Sequence, residues 1–126
     1  MPYAINIDHQ KRHITVVATE PVGVADVLQL LGQQIENGAW SYRTLHDARQ
    51  VRWIPPPDDV RVILAYVDNN SKTLGPRGPV AFVTDGSVLT GFARVYESMA
   101  EGSSMQGRVF GDVDLAMQWL DQQAEA

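Results

Sequence analysis

The stretch from Gly78 to Gly102 limits the possible folds more than any other part of the chain: G-P-V-A-F-V-T-D-G-S-V-L-T-G-F-A-R-V-Y-E-S-M-A-E-G. Val80, Ala81, Phe82 and Val83 form a run of strand formers between Pro79 and Asp85-Gly86, too short for a buried helix. No polar residue alternates with them, so both faces of the strand should be covered, as at the centre of a parallel sheet flanked by helices. After the turn, Val88, Leu89, Phe92, Val95, Tyr96 and Met99 recur at three- and four-residue spacing, which predicts an amphipathic helix. A strand that enters a helix through a polar, glycine-containing corner is the repeating unit of an α/β domain.

The remainder of the chain supplies the same unit. Residues 3–8 alternate, with Tyr3, Ile5 and Ile7 on one face, and residues 12–19 resume as R-H-I-T-V-V-A-T after the turn H-Q-K. The pair predicts an antiparallel hairpin. Val24, Val27, Leu28, Leu31 and Ile35 then share a helix face that Asn37-Gly38 ends. Gly32, inside that helix, is accounted for by a close helix–sheet contact. A third strand is expected over Tyr42–Ala48, with Leu45 inward and His46 a second inward candidate. The prolines of R-Q-V-R-W-I-P-P-P-D-D-V force an extended segment, after which Asp58 or Asp59 is expected to cap a helix through about Thr73. That helix carries Val60, Ile63, Leu64, Val67 and Leu74 and ends at Gly75-Pro76. A last strand over Gln106–Phe110 and a helix bearing Val113, Ala116, Met117, Trp119 and Leu120 close the chain. The predicted order is β-β-α-β-α-β-α-β-α: one α/β domain over residues 1–126, with a mainly parallel five-stranded sheet and right-handed crossovers. The N-terminal hairpin adds an antiparallel strand at or near an edge.

With 126 residues the chain is long enough to bury roughly two-thirds of its unfolded surface in one core. It contains no cysteine, which removes disulfides, thiolate metal sites and a cysteine nucleophile together. The opening M-P-Y-A-I-N-I-D lacks the basic and apolar regions of a signal peptide, and no apolar run reaches membrane-spanning length. These readings lead to the expectation of a cytoplasmic protein without integral membrane association. A net charge of −5 disfavours nucleic acid as a partner. Arg43, Arg49, Arg52 and Arg61 bias residues 43–61 toward positive charge, but Asp47, Asp58 and Asp59 offset them as paired surface charges.

In its element order the chain resembles the SpoIIAA-like fold of STAS domains, and more narrowly the small bacterial STAS-like proteins of unassigned function. The carrying stretches are P-Y-A-I-N-I-D, G-P-V-A-F-V-T-D, G-F-A-R-V-Y-E-S-M-A-E and R-V-F-G-D-V-D-L-A-M-Q-W-L, so the resemblance covers nearly the whole chain. It implies a regulatory interaction module. Anti-sigma-factor antagonists of that family carry a phosphorylatable serine in a pattern like D-L-S-G-V-x-x-I-D-S-S-G. The corresponding stretch runs from Asp47 to Asp58, and Pro56 and Pro57 stand where the serines would be. Proline has no hydroxyl to receive a phosphoryl group, so the resemblance implies partner binding without that switch.

In an open α/β sheet ligands gather at the carboxyl ends of the parallel strands. That edge should hold Asp47, Arg49, Asp85, Gly86, Ser87, Gly111 and Asp112. Ser87 with free backbone N–H groups suits a small anion; equally, Asp85 or Ser87 simply caps the helix. G-S-V-L-T-G is no phosphate loop, because it lacks the lysine and the hydroxyl residue after it. Gly75-Pro76-Arg77-Gly78 reads as a connecting turn. His9 and His13 flank the hairpin turn without a third ligand, so no metal and no cofactor is expected. His46 and Asp47, as neighbours on a strand, point to opposite faces and make no catalytic triad. Ser87, Thr90 and Arg94 can share a helix side, either solvated or as the rim of an interface. Trp53, beside Arg52 and the prolines, either anchors a partner or folds back as a lid over apolar surface. The expected function is a non-enzymatic module that binds a protein partner or itself as a homodimer, through helix faces and the Arg49–Asp58 segment. The alternative, through a distant likeness to CRAL-TRIO lipid-binding domains, is a carrier of a small apolar ligand beside the sheet. An enzyme is the third reading, and titratable residues converging in a cleft would favour it.

Overall fold

The computed structural model describes residues 3–86, 90, 91, 95 and 106–123. Among these the chain forms β1 (Tyr3–Asp8), β2 (His13–Thr19), α1 (Val24–Glu36), β3 (Arg43–Gln50), α2 (Pro57–Leu74), β4 (Val80–Val83), β5 (Gly107–Phe110) and α3 (Val113–Gln122). The strands make one five-stranded sheet in the order β1-β2-β3-β4-β5. β1 and β2 are antiparallel, and every later pair is parallel. The domain is therefore α/β with a mixed, mainly parallel sheet. The helix expected after β4 falls largely outside the described residues, and with it the face assigned to Val88, Leu89, Phe92, Tyr96 and Met99. Among the described residues no helix is long and apolar enough to cross a membrane.

Strand periodicity divides the sheet into two faces. Register places Tyr3, Ile5, Ile7, Ile14, Val16, Ala18, Thr44, His46, Val80 and Phe82 on one side. α1 covers this side: Leu30 packs with Ile14, Val16, Ala39 and Tyr42. α2 lies beside α1, joined by Leu31, Trp40 and Val67. Two parallel crossovers stepping in one direction across the sheet put both helices on one face, as right-handed connections require. α3 lies on the opposite face, where Ala116 and Leu120 pack on Leu45, Ala81 and Val83. β4 is thus covered from both sides, which is why it has no polar residue. β1 keeps its alternation because Ala4 and Asn6, on the α3 side, remain exposed.

Several local expectations need correction. α2 begins at Pro57 with Pro56 as its N-cap, so neither Asp58 nor Asp59 caps it. Proline suits the first helical position because that N–H has no intrahelical partner, and both aspartates sit in the first turn, favoured by the helix dipole. Leu74 is 45% exposed rather than part of the buried stripe. In α1 the buried residues are Leu30, Leu31 and Gln34, and the predicted stripe omits the first and the last. The helix is covered on two sides at once, by the sheet at Leu30 and by α2 at Leu31, so its buried arc is rotated and widened. Gly32 faces Tyr66 of α2 rather than the sheet, and a Cβ there would lie 3.7 Å from the Tyr66 hydroxyl, an ordinary contact. Gly78 is the position where glycine is required: a Cβ would lie 2.1 Å from the Tyr42 carbonyl oxygen. This close approach lets the α2–β4 connection pass under the start of β3.

Candidate functional site

The carboxyl ends of the parallel strands do collect the expected charges, but as pairs. Arg49 donates to Asp47 through Nε (3.0 Å to Oδ1) and Nη2 (2.7 Å to Oδ2). These bonds hold the Asp47 carboxyl below the usual carboxylate range. Arg52 reaches both neighbouring loops: its backbone N–H donates to Glu20 Oε1 at 2.5 Å, and its Nη1 lies 3.0 Å from Asp85 Oδ1. Arg61 pairs with Asp58 at 2.6 Å. Among the described residues, Arg49 and Arg52 are each paired with a carboxylate. Thr90 is exposed, and Ser87 and Arg94 lie outside the described residues.

Behind the rim lies a cavity of about 90 Å³ between the sheet and the helix pair. Tyr3, Ala18, His46, Ala48, Phe82 and Thr84 line it from the sheet side, Val27, Leu30 and Leu31 from α1, and Val60, Ile63 and Leu64 from α2. Val22, Val51, Trp53 and Pro55 stand at the strand carboxyl ends, and Arg77 lines the opposite end, before β4. Trp53 is half-buried against this cavity, which agrees with its lid reading. Ile54 reaches the helix beyond β4, where a Cβ on Gly91 would lie 2.8 Å from its Cδ1.

The polar groups of the cavity are few. His46, 8% exposed, has Tyr3 edge-on at 5.5 Å and Phe82 tilted against it at 5.0 Å between ring centroids. Burial, and then the nearby Arg77 guanidinium, push its pKa down to about 4, so the imidazole is neutral at physiological pH. Burial, reinforced by Asp26, pushes the Tyr3 phenol up, so it too is uncharged. Arg77, 6% exposed, donates to Gln34 Oε1 at 3.2 Å, and its guanidinium carbon lies 5.9 Å from the Trp40 ring centroid. Thr84 is 2% exposed, and its Oγ1 has no hydrogen-bond partner among the described residues.

Titratable side chains therefore converge in a cleft. A histidine with a pKa near 4 is a weak general base at neutral pH. Thr84 Oγ1 makes no hydrogen bond to it, so the two do not form a nucleophile–base pair. His46 faces the cavity while Asp47 faces away, as strand geometry demands. Sequence reasoning assigned no role to Tyr3, Arg77 or Thr84. Arg77 sits in G-P-R-G-P, which reads only as a turn, and Thr84 reads only as a strand end. The inward signal of His46 was its position in a strand buried on both sides.

No protein-family model and no curated protein matches the chain. A solved structure described as "NMR Structure of the protein TM1081" superposes with a TM-score of 0.58 at 12% sequence identity, covering 97% of this chain and 89% of that one. At that identity the likeness is one of fold alone: this chain is similar to TM1081 in its α/β architecture.

Proposed function

We propose that this domain is a non-enzymatic module that holds a small, mainly apolar molecule in the cavity between β2–β4 and the α1–α2 pair. The observation that carries the reading is the cavity itself: a space of about 90 Å³, walled mainly by aliphatic and aromatic side chains, half-buried Trp53 among them, with Tyr3, His46, Thr84 and the Arg77 guanidinium as its polar groups. Close-packed interiors seldom leave such a space, and apolar pockets with a few placed polar groups are the usual form of a small-molecule site. The sequential strand order, the N-terminal hairpin and the absence of a hydroxyl at residues 55–57 support a SpoIIAA-like, STAS-like domain that works without phosphoserine switching.

A second reading, association with a protein partner or with another copy, draws on the exposure of Arg49, Gln50, Arg52, Pro56, Pro57 and Asp58 along one segment. Xenon separates the two. Dissolved under pressure, it should shift the methyl NMR signals of Leu30, Leu31, Ile63 and Leu64, and Ala48→Leu, which fills the space, should abolish the shifts without unfolding the chain. Identical spectra with and without xenon in the wild type would remove the cavity reading and leave the segment reading in its place.

A further inference from the structure

Thr84 and His46 bring two uncharged hydrogen-bonding groups into one part of a space lined mainly by hydrocarbon, with the Arg77 guanidinium at its other end. Thr84 Oγ1 is fully buried with no partner among the described residues, and native proteins leave few such atoms. The His46 ring is held by aromatic contacts with Tyr3 and Phe82 rather than by a hydrogen bond from a described residue. His46 pairs with Phe82 across β3 and β4, and Thr84, two residues further on, returns to the same face. The Thr84 N–H still bonds the Phe110 carbonyl at 3.0 Å, so the strand geometry continues to that point. Diagonal neighbours on one face of a sheet stand roughly 7–8 Å apart at the backbone, and one oxygen atom hydrogen-bonded to both side chains can sit between them. A neutral imidazole offers one donor and one acceptor, and a hydroxyl offers both.

We propose that the cavity's occupant is a small aliphatic molecule with one uncharged oxygen, a hydroxyl or ketone carbonyl, set between His46 and Thr84; this rests on the cavity being a binding site. Size agrees with a short chain. A cavity of about 150 Å³ takes benzene, so about 90 Å³ suits roughly four heavy atoms, with any remainder directed toward Trp53. Charge argues against a carboxylate head at this position. Arg77 lies at the other end of β4, directed to Gln34 and the Trp40 ring, and both groups beside the proposed oxygen are uncharged. A buried anion is stable only when paired.

The test is an NMR titration of the wild type and Thr84→Val with 1-butanol, its apolar isostere n-pentane, and butyrate. Thr84→Val should weaken 1-butanol by about five-fold, the usual effect of one neutral hydrogen bond, and leave n-pentane unchanged or tighter. In the wild type, magnetisation transfer should run from the carbinol protons of 1-butanol to the His46 ring and Thr84, a result that needs no variant. If n-pentane binds but Thr84→Val affects both probes alike, or if the methyl end of 1-butanol faces His46, the oxygen assignment fails and the cavity reading stands. Butyrate binding more tightly than 1-butanol would also overturn the assignment, in favour of an acid held by Arg77. If no probe binds the wild type, both readings fall together.

Discussion

His46 combines a mid-strand position, near-complete burial and a neighbouring guanidinium, and each disfavours a proton on its ring. Opposing them among the described residues is Asp47, whose carboxylate lies on the other face of the strand and is tied to Arg49. With a folded pKa of about 4 against the ordinary 6.5, the unfolded chain takes up the proton first as pH falls. Stability from this residue is therefore complete above pH 6.5, declines between 6.5 and 4, and levels off below, for a total of about 3 kcal/mol. Asp47 adds loss in the same direction at lower pH, because its folded pKa is depressed. Denaturant unfolding of the wild type and His46→Leu across pH 4–7 isolates the histidine: the wild type should lose stability relative to the variant as pH falls. Parallel curves would mean that His46 is solvated and outside the cavity wall.

The segment from Val51 to Pro56 is the element on which the site depends. Its prolines keep it extended, and its apolar residues Val51, Trp53 and Pro55 face the cavity while Arg52 faces the rim. Arg52 ties it to the loops on either side, through Glu20 and Asp85. The Arg52–Asp85 pair is exposed, with side chains 64% and 54% accessible, so it adds little to global stability. Its expected effect is local, on how firmly the segment is held over the cavity. Arg52→Ala should leave the melting temperature within a few degrees of wild type and speed the exchange of a bound apolar probe several-fold, as read by NMR line shape. An unchanged exchange rate would show that probes enter elsewhere.

Across the whole molecule, the sheet separates two cores of different character. On the α3 side, Leu120 and Ala116 are fully buried on Leu45, Ala81 and Val83, and Arg43 fixes the end of α3 by donating twice to the Gln123 carbonyl. The α1–α2 side contains the cavity. Leu120→Ala should then cost on the order of 2–5 kcal/mol in unfolding free energy, with little effect on xenon affinity measured well below the melting temperature. A parallel loss of both would mean that the two sides form one cooperative packing unit.

The strands, the hairpin and the α/β class were legible in the sequence because each depends on local pattern: period-two alternation in β1, an unbroken apolar run in β4, and glycine or proline at the corners. The charges of residues 43–61 were legible as pairs only for Arg49 with Asp47 and Arg61 with Asp58; Arg43 donates to the Gln123 carbonyl and Arg52 to Asp85, 33 residues away. What no local pattern carried was the void. A cavity is set by how closely α1 and α2 approach the sheet, and Leu30 and Leu31 read the same whether they fill a space or line one. Thr84, Arg77 and Tyr3 acquired roles for the same reason: each is an ordinary strand end, turn or edge residue until helices on one face enclose it. Local pattern sets the strands and their two faces but misses Leu30 and Gln34 as buried helix positions; the space on one side of the sheet follows from packing density, which depends on contacts between elements far apart in the chain.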